Sequence, residues 1–285
     1  MSEPLAECLG VSRTFGAFTA VDRVNLRVDP GEVVGLLGAN GAGKTTVIKM
    51  LLGLLPPSDG AVRLFGEPPS RTTRRRIGYL PQTLGLYDDL TVADNLAFSG
   101  EVFASRRDVP APLKPYAGAV VRDLPLGVAR RVAFAQALAH SPELLLLDEP
   151  TSGVDPLARA RLWETIGSAA ADGVGVIVST HYMDEAEECT RLVVLAAGRV
   201  VAAGTSAEIV RDARTVVVDS PDWAAALRKL EEAGLRAFLA GSALRVPGAR
   251  IEQVTHALGD LAGDVRIRSA PATLEERFFA LVMSR

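Results

Sequence analysis

The run Gly38-Ala-Asn-Gly-Ala-Gly43-Lys44-Thr45 has the spacing G-x-x-x-x-G-K-[ST]. Glycines at its ends let backbone N–H groups converge on phosphate oxygens where a helix begins, and the loop residues Asn40, Gly41 and Ala42 would wrap the same anion. Lys44 would reach the outer phosphates, Thr45 would ligate Mg²⁺, and Thr46 continues the first helical turn. A chance match in a chain of this composition is roughly a one-in-a-hundred event. Further on, Leu144-Leu-Leu-Leu147 runs straight into Asp148 and Glu149. Asp148 suits an Mg²⁺ shell, and Glu149 suits a base that takes a proton from an attacking water. An acid pair after a strand is by itself an ordinary helix cap or solvated loop. Following a phosphate loop in one chain, it points to nucleoside triphosphate hydrolysis.

These groups need a scaffold that brings strand ends together. Val24-Asn-Leu-Arg-Val and Val33-Val-Gly-Leu-Leu read as strands joined by an Asp29-Pro-Gly turn. A helix is predicted from Thr45 to Leu55, closed by Pro56-Pro57. Thr91 caps a helix to Phe98, Pro110, Pro112 and Pro115 forbid a long one after it, and regular structure resumes near Arg130 with a helix from Val132 to Ala139. Leu144–Leu147 and Gly175–Ser179 read as buried strands with a helix from Leu157 to Ala171 between them. Alternating strands and helices predict a parallel α/β sheet. After Ile209 the pattern becomes strand (Thr215–Val218), helix (Trp223–Ala233), hairpin (Leu235–Val246), helix (Ile251–Leu261), strand (Val265–Ile267) and a last helix from Thr273, an α+β unit of ferredoxin-like type. The expected division is 1–210 and 215–285.

With these residues in hand, the chain resembles the ATP-binding subunits of ABC transporters over about residues 5 to 210. Gln82 after Tyr79-Leu-Pro matches the family's Q-loop glutamine, Ser152-Gly-Val-Asp155 its D-loop, and His181 its switch histidine. Singly, Gln82 and His181 read as satisfied polar residues and Phe15 as core. Their shared order reverses that, and Phe15 stands where the family stacks an aromatic on adenine. The resemblance implies that Gln82 joins Thr45 and Asp148 around Mg²⁺, that Asp155 faces a partner subunit and that His181 faces the γ-phosphate. Thr180-His-Tyr-Met-Asp-Glu-Ala-Glu and the tail Ala272-Thr-Leu-Glu-Glu-Arg-Phe-Phe resemble the drug-exporter, daunorubicin-resistance-like branch.

Two departures stand out. Where the family has Leu-Ser-Gly-Gly-Gln, this chain has Leu124, Pro125, Leu126, Gly127 and Val128. Pro125 removes a hydroxyl and an N–H, and Leu126 adds a side chain where glycine permits close approach. Arg130 and Arg131 just beyond are potential substitute donors toward a partner's phosphate. The segment of about 83–130 is short and proline-rich, which predicts a reduced helical subdomain for docking on membrane partners.

The 285 residues, 48% hydrophobic and 23% charged, suffice for a buried core and argue against disorder. A net charge of −3 gives no footprint for nucleic acid, and Arg71, Arg74, Arg75 and Arg76 form the one basic cluster, read as a solvated face. No apolar run approaches a membrane span, and the N-terminus lacks a signal-peptide pattern. Cys8 and Cys189 show no metal-ligand spacing and are expected as reduced thiols. The expectation is a cytoplasmic ATPase subunit, peripheral on the inner face of the membrane. It would form a head-to-tail homodimer or heterodimer and power export through a separate membrane-spanning permease. The alternatives are an ATP-binding regulatory subunit with little hydrolysis, or a soluble ABC ATPase outside transport.

Overall fold

The computed structural model describes residues 3–103, 108–263 and 265–283. Alternating polar and apolar residues build two long antiparallel strands, β1 (Ala6–Phe15) and β2 (Phe18–Val28). Strand β3 (Val33–Leu37) follows, buried along its whole length, and delivers the chain to helix α1 (Lys44–Leu51). The helix stops four residues short of its expected end at Leu55. Gly53, at φ 66°, donates to Met50 O at 3.0 Å and Leu54 N donates to Lys49 O at 3.0 Å. That is a glycine-dependent C-terminal cap, so Gly53 rather than Pro56-Pro57 ends α1.

Strand β4 (Asp59–Leu64) returns to pair with β1, completing a small antiparallel sheet in the order β2-β1-β4. Next come the short helix α2 (Arg71–Arg74), strand β5 (Ile77–Leu80) and helix α3 (Val92–Val102). Thr91 caps α3 by accepting from Asp94 N at 3.1 Å, as its sequence position predicts. The prolines confine Ala111–Tyr116 to a 3₁₀ turn. Helix α4 (Leu126–Leu138) starts six residues before the expected Val132, because Pro125, with φ fixed at −55°, serves as its N-cap and proline is tolerated at a helix entry. The altered signature segment is therefore the first turn of a helix.

The remaining elements of this unit are β6 (Leu144–Asp148), α5 (Pro156–Ala171), β7 (Gly175–Thr180), α6 (Met183–Glu187), β8 (Arg191–Ala196) and β9 (Arg199–Gly204). Among the described residues the main sheet runs β5-β6-β7-β3-β8-β9, with β5, β6, β7, β3 and β8 successively parallel. Helices cover parallel sheets on both faces, which is why Leu144 to Leu147 are all 0% exposed and read as an unbroken apolar run. The buried thiol of Cys8 sits with β1's core residues, and Cys189 is buried beside Gly35.

The chain divides into two compact units at Val200/Val201. That is ten residues before the expected boundary, because helix α7 (Ser206–Val210) packs on the final helix and Ala213 O accepts from Ala272 N at 3.0 Å. In the second unit, β10 (Arg214–Asp219), α8 (Trp223–Glu232), β11 (Phe238–Ala240), β12 (Ala243–Pro247), α9 (Ile251–Leu258) and β13 (Arg266–Pro271) give a β-α-β-β-α-β order. The spatial order β11-β12-β10-β13 is that of a ferredoxin-like sheet. β13 runs beyond its expected end at Ile267, since it pairs with all of β10 from Asp219↔Arg266 to Arg214↔Pro271. Val216, Val218, Leu244 and Val246 meet Ala226, Leu230, Val254 and Leu258 in this unit's core. Helix α10 (Leu274–Met283) opens on a capping box: Glu276 N donates to Thr273 Oγ1 at 3.2 Å and Thr273 N donates to Glu276 Oε2 at 2.7 Å. The buried Glu276 carboxylate also takes the Arg245 guanidinium.

Candidate active site at the ends of β3, β6 and β7

Three parallel strands end side by side, and each hands its chemistry to the same place. β3 feeds the loop from Gly38 to Gly43. Gly43 lies at φ 105°, and a side chain there would put Cβ 2.7 Å from Ala20 O. Only glycine fits, and the turn it makes leaves Lys44, Thr45 and Thr46 at the start of α1. Lys44 is 5% exposed; its Nζ donates to Gly38 O at 2.7 Å and to Ala39 O at 3.3 Å, and lies 3.4 Å from Glu149 Oε1.

β6 supplies the acids. Register pairs Asp148 with Ser179 on β7, so the Ser179 hydroxyl donates to Asp148 Oδ1 at 2.6 Å. Thr45 Oγ1 donates to the same oxygen at 3.1 Å. Glu149 follows with a left-handed backbone, φ 48°, and its N–H is held by Ser179 Oγ at 2.9 Å. That turn aims its carboxylate back over the phosphate loop. Gln82 Nε2 donates to Glu149 Oε2 at 3.3 Å, and His181 Nδ1 stands 3.5 Å from Glu149 Oε1. Lys44, Gln82 and His181 thus surround one carboxylate.

A cleft of about 420 Å³ lies over this cluster, lined by Phe15, Phe18, Ala20, the run Asn40–Thr46, Gln82 and Glu149. Gly38 contributes its carbonyl to Lys44 rather than a wall. Phe15 is 47% exposed, so it is not core. The Arg13 guanidinium lies 4.7 Å from the Phe15 ring, leaving the ring as a backed platform beside the phosphate loop.

The signature residues are not in this cleft. Leu124 packs into the apolar cluster of α3 and α4, Pro125 caps α4, and Leu126 is 43% exposed near Gly153. Gly127 passes close to Ala158 of α5, where an added Cβ would be 3.2 Å from the Ala158 methyl. Asp155 caps α5 by accepting from Ala158 N at 2.9 Å. These residues form a separate surface at the starts of α4 and α5. Of the arginines beyond them, Arg130 is 4% exposed and turned inward, away from that surface, and Arg131 donates to Pro112 O at 3.2 Å.

Several functional side chains have no sequence motif of their own. Ser179 is positioned purely by the β6/β7 register. Phe18 pairs with Phe15 across the β1/β2 turn and is 64% exposed, an aromatic placement that sequence alternation alone does not single out. Glu185, 1% exposed, accepts from Thr180 Oγ1 at 2.6 Å and from Thr151 Oγ1, with Arg159 Nε 3.5 Å away. It ties the segment after Glu149 to the strand end that carries His181.

The family model described as ABC transporter matches residues 21–152. A probable multidrug ABC transporter ATP-binding protein of Escherichia coli (strain K12) is 43% identical over 216 residues, 71% of this chain and 37% of its own length. The chain therefore spans little more than a third of that relative. The Nod factor export ATP-binding protein I of Paraburkholderia xenovorans (strain LB400) is 37% identical over 298 residues, covering 99% of this chain and 98% of its own. A solved ATP-binding subunit of an ABC transporter superposes with TM-score 0.68 at 33% identity, covering 73% of this chain and 92% of that one. The dimeric MJ0796 cassette does so with TM-score 0.63 at 25% identity, over 70% and 98%. With the phosphate loop, the acid pair and the switch histidine gathered at one sheet end, and with relatives matching end to end, this chain belongs to the ATP-binding proteins of ABC transporters.

Proposed function

We propose that the chain binds MgATP and hydrolyses it as the motor subunit of an exporter, working head to tail with a second ATPase subunit on a separate membrane-spanning permease. The carrying observation is the convergence of Lys44, Gln82 and His181 on the Glu149 carboxylate. Lys44 binds the outer phosphates as a point charge, and Phe15 carries the adenine ring. Glu149 takes a proton from water as the water oxygen bonds to the γ-phosphorus, and the bridging bond to the β-phosphate breaks, leaving ADP and phosphate. Gln82 orients the water and His181 steadies the γ-phosphate.

Mg²⁺ requires only one or two protein oxygens beside phosphates and water. The Thr45 hydroxyl and the Asp148 carboxylate, 3.1 Å apart, fit that demand, and Gln82 would join them through its amide oxygen. When bound, Mg²⁺ would supply charge neutralisation on the phosphates. Among the described residues no helix is long and apolar enough to cross a membrane, which fits a peripheral subunit at the inner face. The names of the bacterial relatives favour export as the direction. The segment leading into and along α3 is the proposed permease-docking surface, with Tyr87 just before the helix and Phe98 and Val102 on it exposed at 51%, 46% and 57%.

The test compares wild type and Glu149→Gln, each with and without its permease in membrane vesicles. Wild type should hydrolyse ATP weakly alone and faster with the permease. Glu149→Gln should bind ATP normally and lose about 100-fold or more in rate, the usual contribution of a general base. Equal rates for the two proteins would remove Glu149 from the mechanism, and a negligible wild-type rate with the permease present would favour a nucleotide sensor.

A further inference from the structure

Arg130 lies on the second turn of α4, five residues after Pro125. It is 4% exposed, and its Nη2 donates to Gln82 O at 3.1 Å and reaches Ser152 O at 3.5 Å. Its Nε and Nη1 are buried without a hydrogen-bond partner. The positive charge is met by two peptide carbonyls and, through space, by Glu149. Burying an ion without a bonded counterion costs several kcal/mol, and an apolar side chain of similar volume is usually no worse for stability. Packing therefore does not explain an arginine here.

Its three attachments do. The helix that carries it begins with the signature segment, the first carbonyl belongs to the Q-loop glutamine, and the second belongs to the loop between Glu149 and Asp155. We propose that Arg130 is a positioning residue for ATP hydrolysis, a strut that fixes the main chain at Gln82 and Ser152 to helix α4, so that a shift at the signature turn is passed to Gln82 in the same subunit. The Gln82 amide then stays on Glu149 only while α4 holds its place. This role rests on the hydrolytic reading above, but the strut itself does not need hydrolysis to be seen.

The experiment uses the full chain as wild type, Arg130→Met and Arg130→Lys. Amide hydrogen exchange is measured without nucleotide across residues 82–90 and 152–155. Arg130→Met should exchange faster in both segments while the rest of the first unit is unchanged, and Arg130→Lys, which keeps one charged donor, should fall between. MgATP affinity should stay within about threefold and kcat should drop by about tenfold or more, since small misplacements of aligned groups cost rate far more than binding. Unchanged exchange in Arg130→Met overturns the strut whether or not the wild type hydrolyses ATP. Equal loss of binding, rate and folded protein in both variants overturns it too, by making Arg130 a scaffold residue alone. A wild type that fails to hydrolyse ATP, with exchange altered as expected, instead overturns the hydrolytic reading and leaves the strut standing.

Discussion

Glu149 holds a backbone conformation that costs a non-glycine residue about 1–2 kcal/mol. The Ser179 hydroxyl on its N–H keeps it there, and the reward is a carboxylate aimed over the phosphate loop. Lys44 is the group it faces, and a buried ammonium with two loop carbonyls and one carboxylate is poised for a polyanion. Lys44→Ala should weaken MgATP binding by about tenfold to a hundredfold, the worth of a charged hydrogen bond, measured by calorimetry. Unchanged affinity would dissociate the loop from phosphate. The loop and the acid pair were legible in the sequence because each is contiguous and its geometry is set by a local turn. Ser179 and Arg130 were not. Ser179 matters through a register between two strands 31 residues apart, and Arg130 through a helix that starts earlier than its apolar pattern suggests.

At the scale of elements, β5 and β6 are clamped at their entry by Arg76 and Glu143, joined by two hydrogen bonds of 2.6 and 2.7 Å. The Arg76 guanidinium holds the Glu143 carboxyl below its ordinary range, so the stabilisation is present at neutral pH and is lost as pH falls through that lowered value. Both side chains are about half exposed, which limits the pair to about 0.2–1 kcal/mol. Glu143→Gln should unfold slightly more easily than wild type at pH 7, and the gap should close in acid; denaturant midpoints at the two pH values decide it. Helix α4 offers a sharper case. It has no side-chain cap, so Pro125→Ser should stabilise it by about 1 kcal/mol, a gain readable in thermal unfolding. Pro125→Ser with Leu126→Gly should also raise basal ATP hydrolysis if a missing phosphate donor limits the rate. A stable, ATP-binding double variant with an unchanged rate would show that this signature is adapted to its own partner. The element boundaries themselves were less legible than their types, since Gly53 and Pro125 are both compatible with turns, and only their hydrogen bonds show that one ends a helix and the other begins one.

For the whole molecule, every residue proposed to face phosphate lies before the division at Val200/Val201. A fragment of residues 1–204, which keeps β9, should fold and bind ATP like the full chain, and residues 205–285 should fold by themselves. A fragment 1–204 that is folded by circular dichroism but blind to ATP would refute the division. The two-unit plan was readable from the change of pattern after Ile209, but its boundary was not, because the short α7 belongs by packing to the helix at the far end of the chain.

Both cysteines are deeply buried, Cys8 at 1% and Cys189 at 7% exposure, and burial pushes each thiol up to about 12. At neutral pH both therefore stay protonated and poorly nucleophilic. Toward maleimides and disulfide reagents the folded chain is blank. A fluorophore or spin label attached to one introduced cysteine, at the exposed Leu157 on the D-loop helix for example, will report from that position alone, with no need to remove a native residue first.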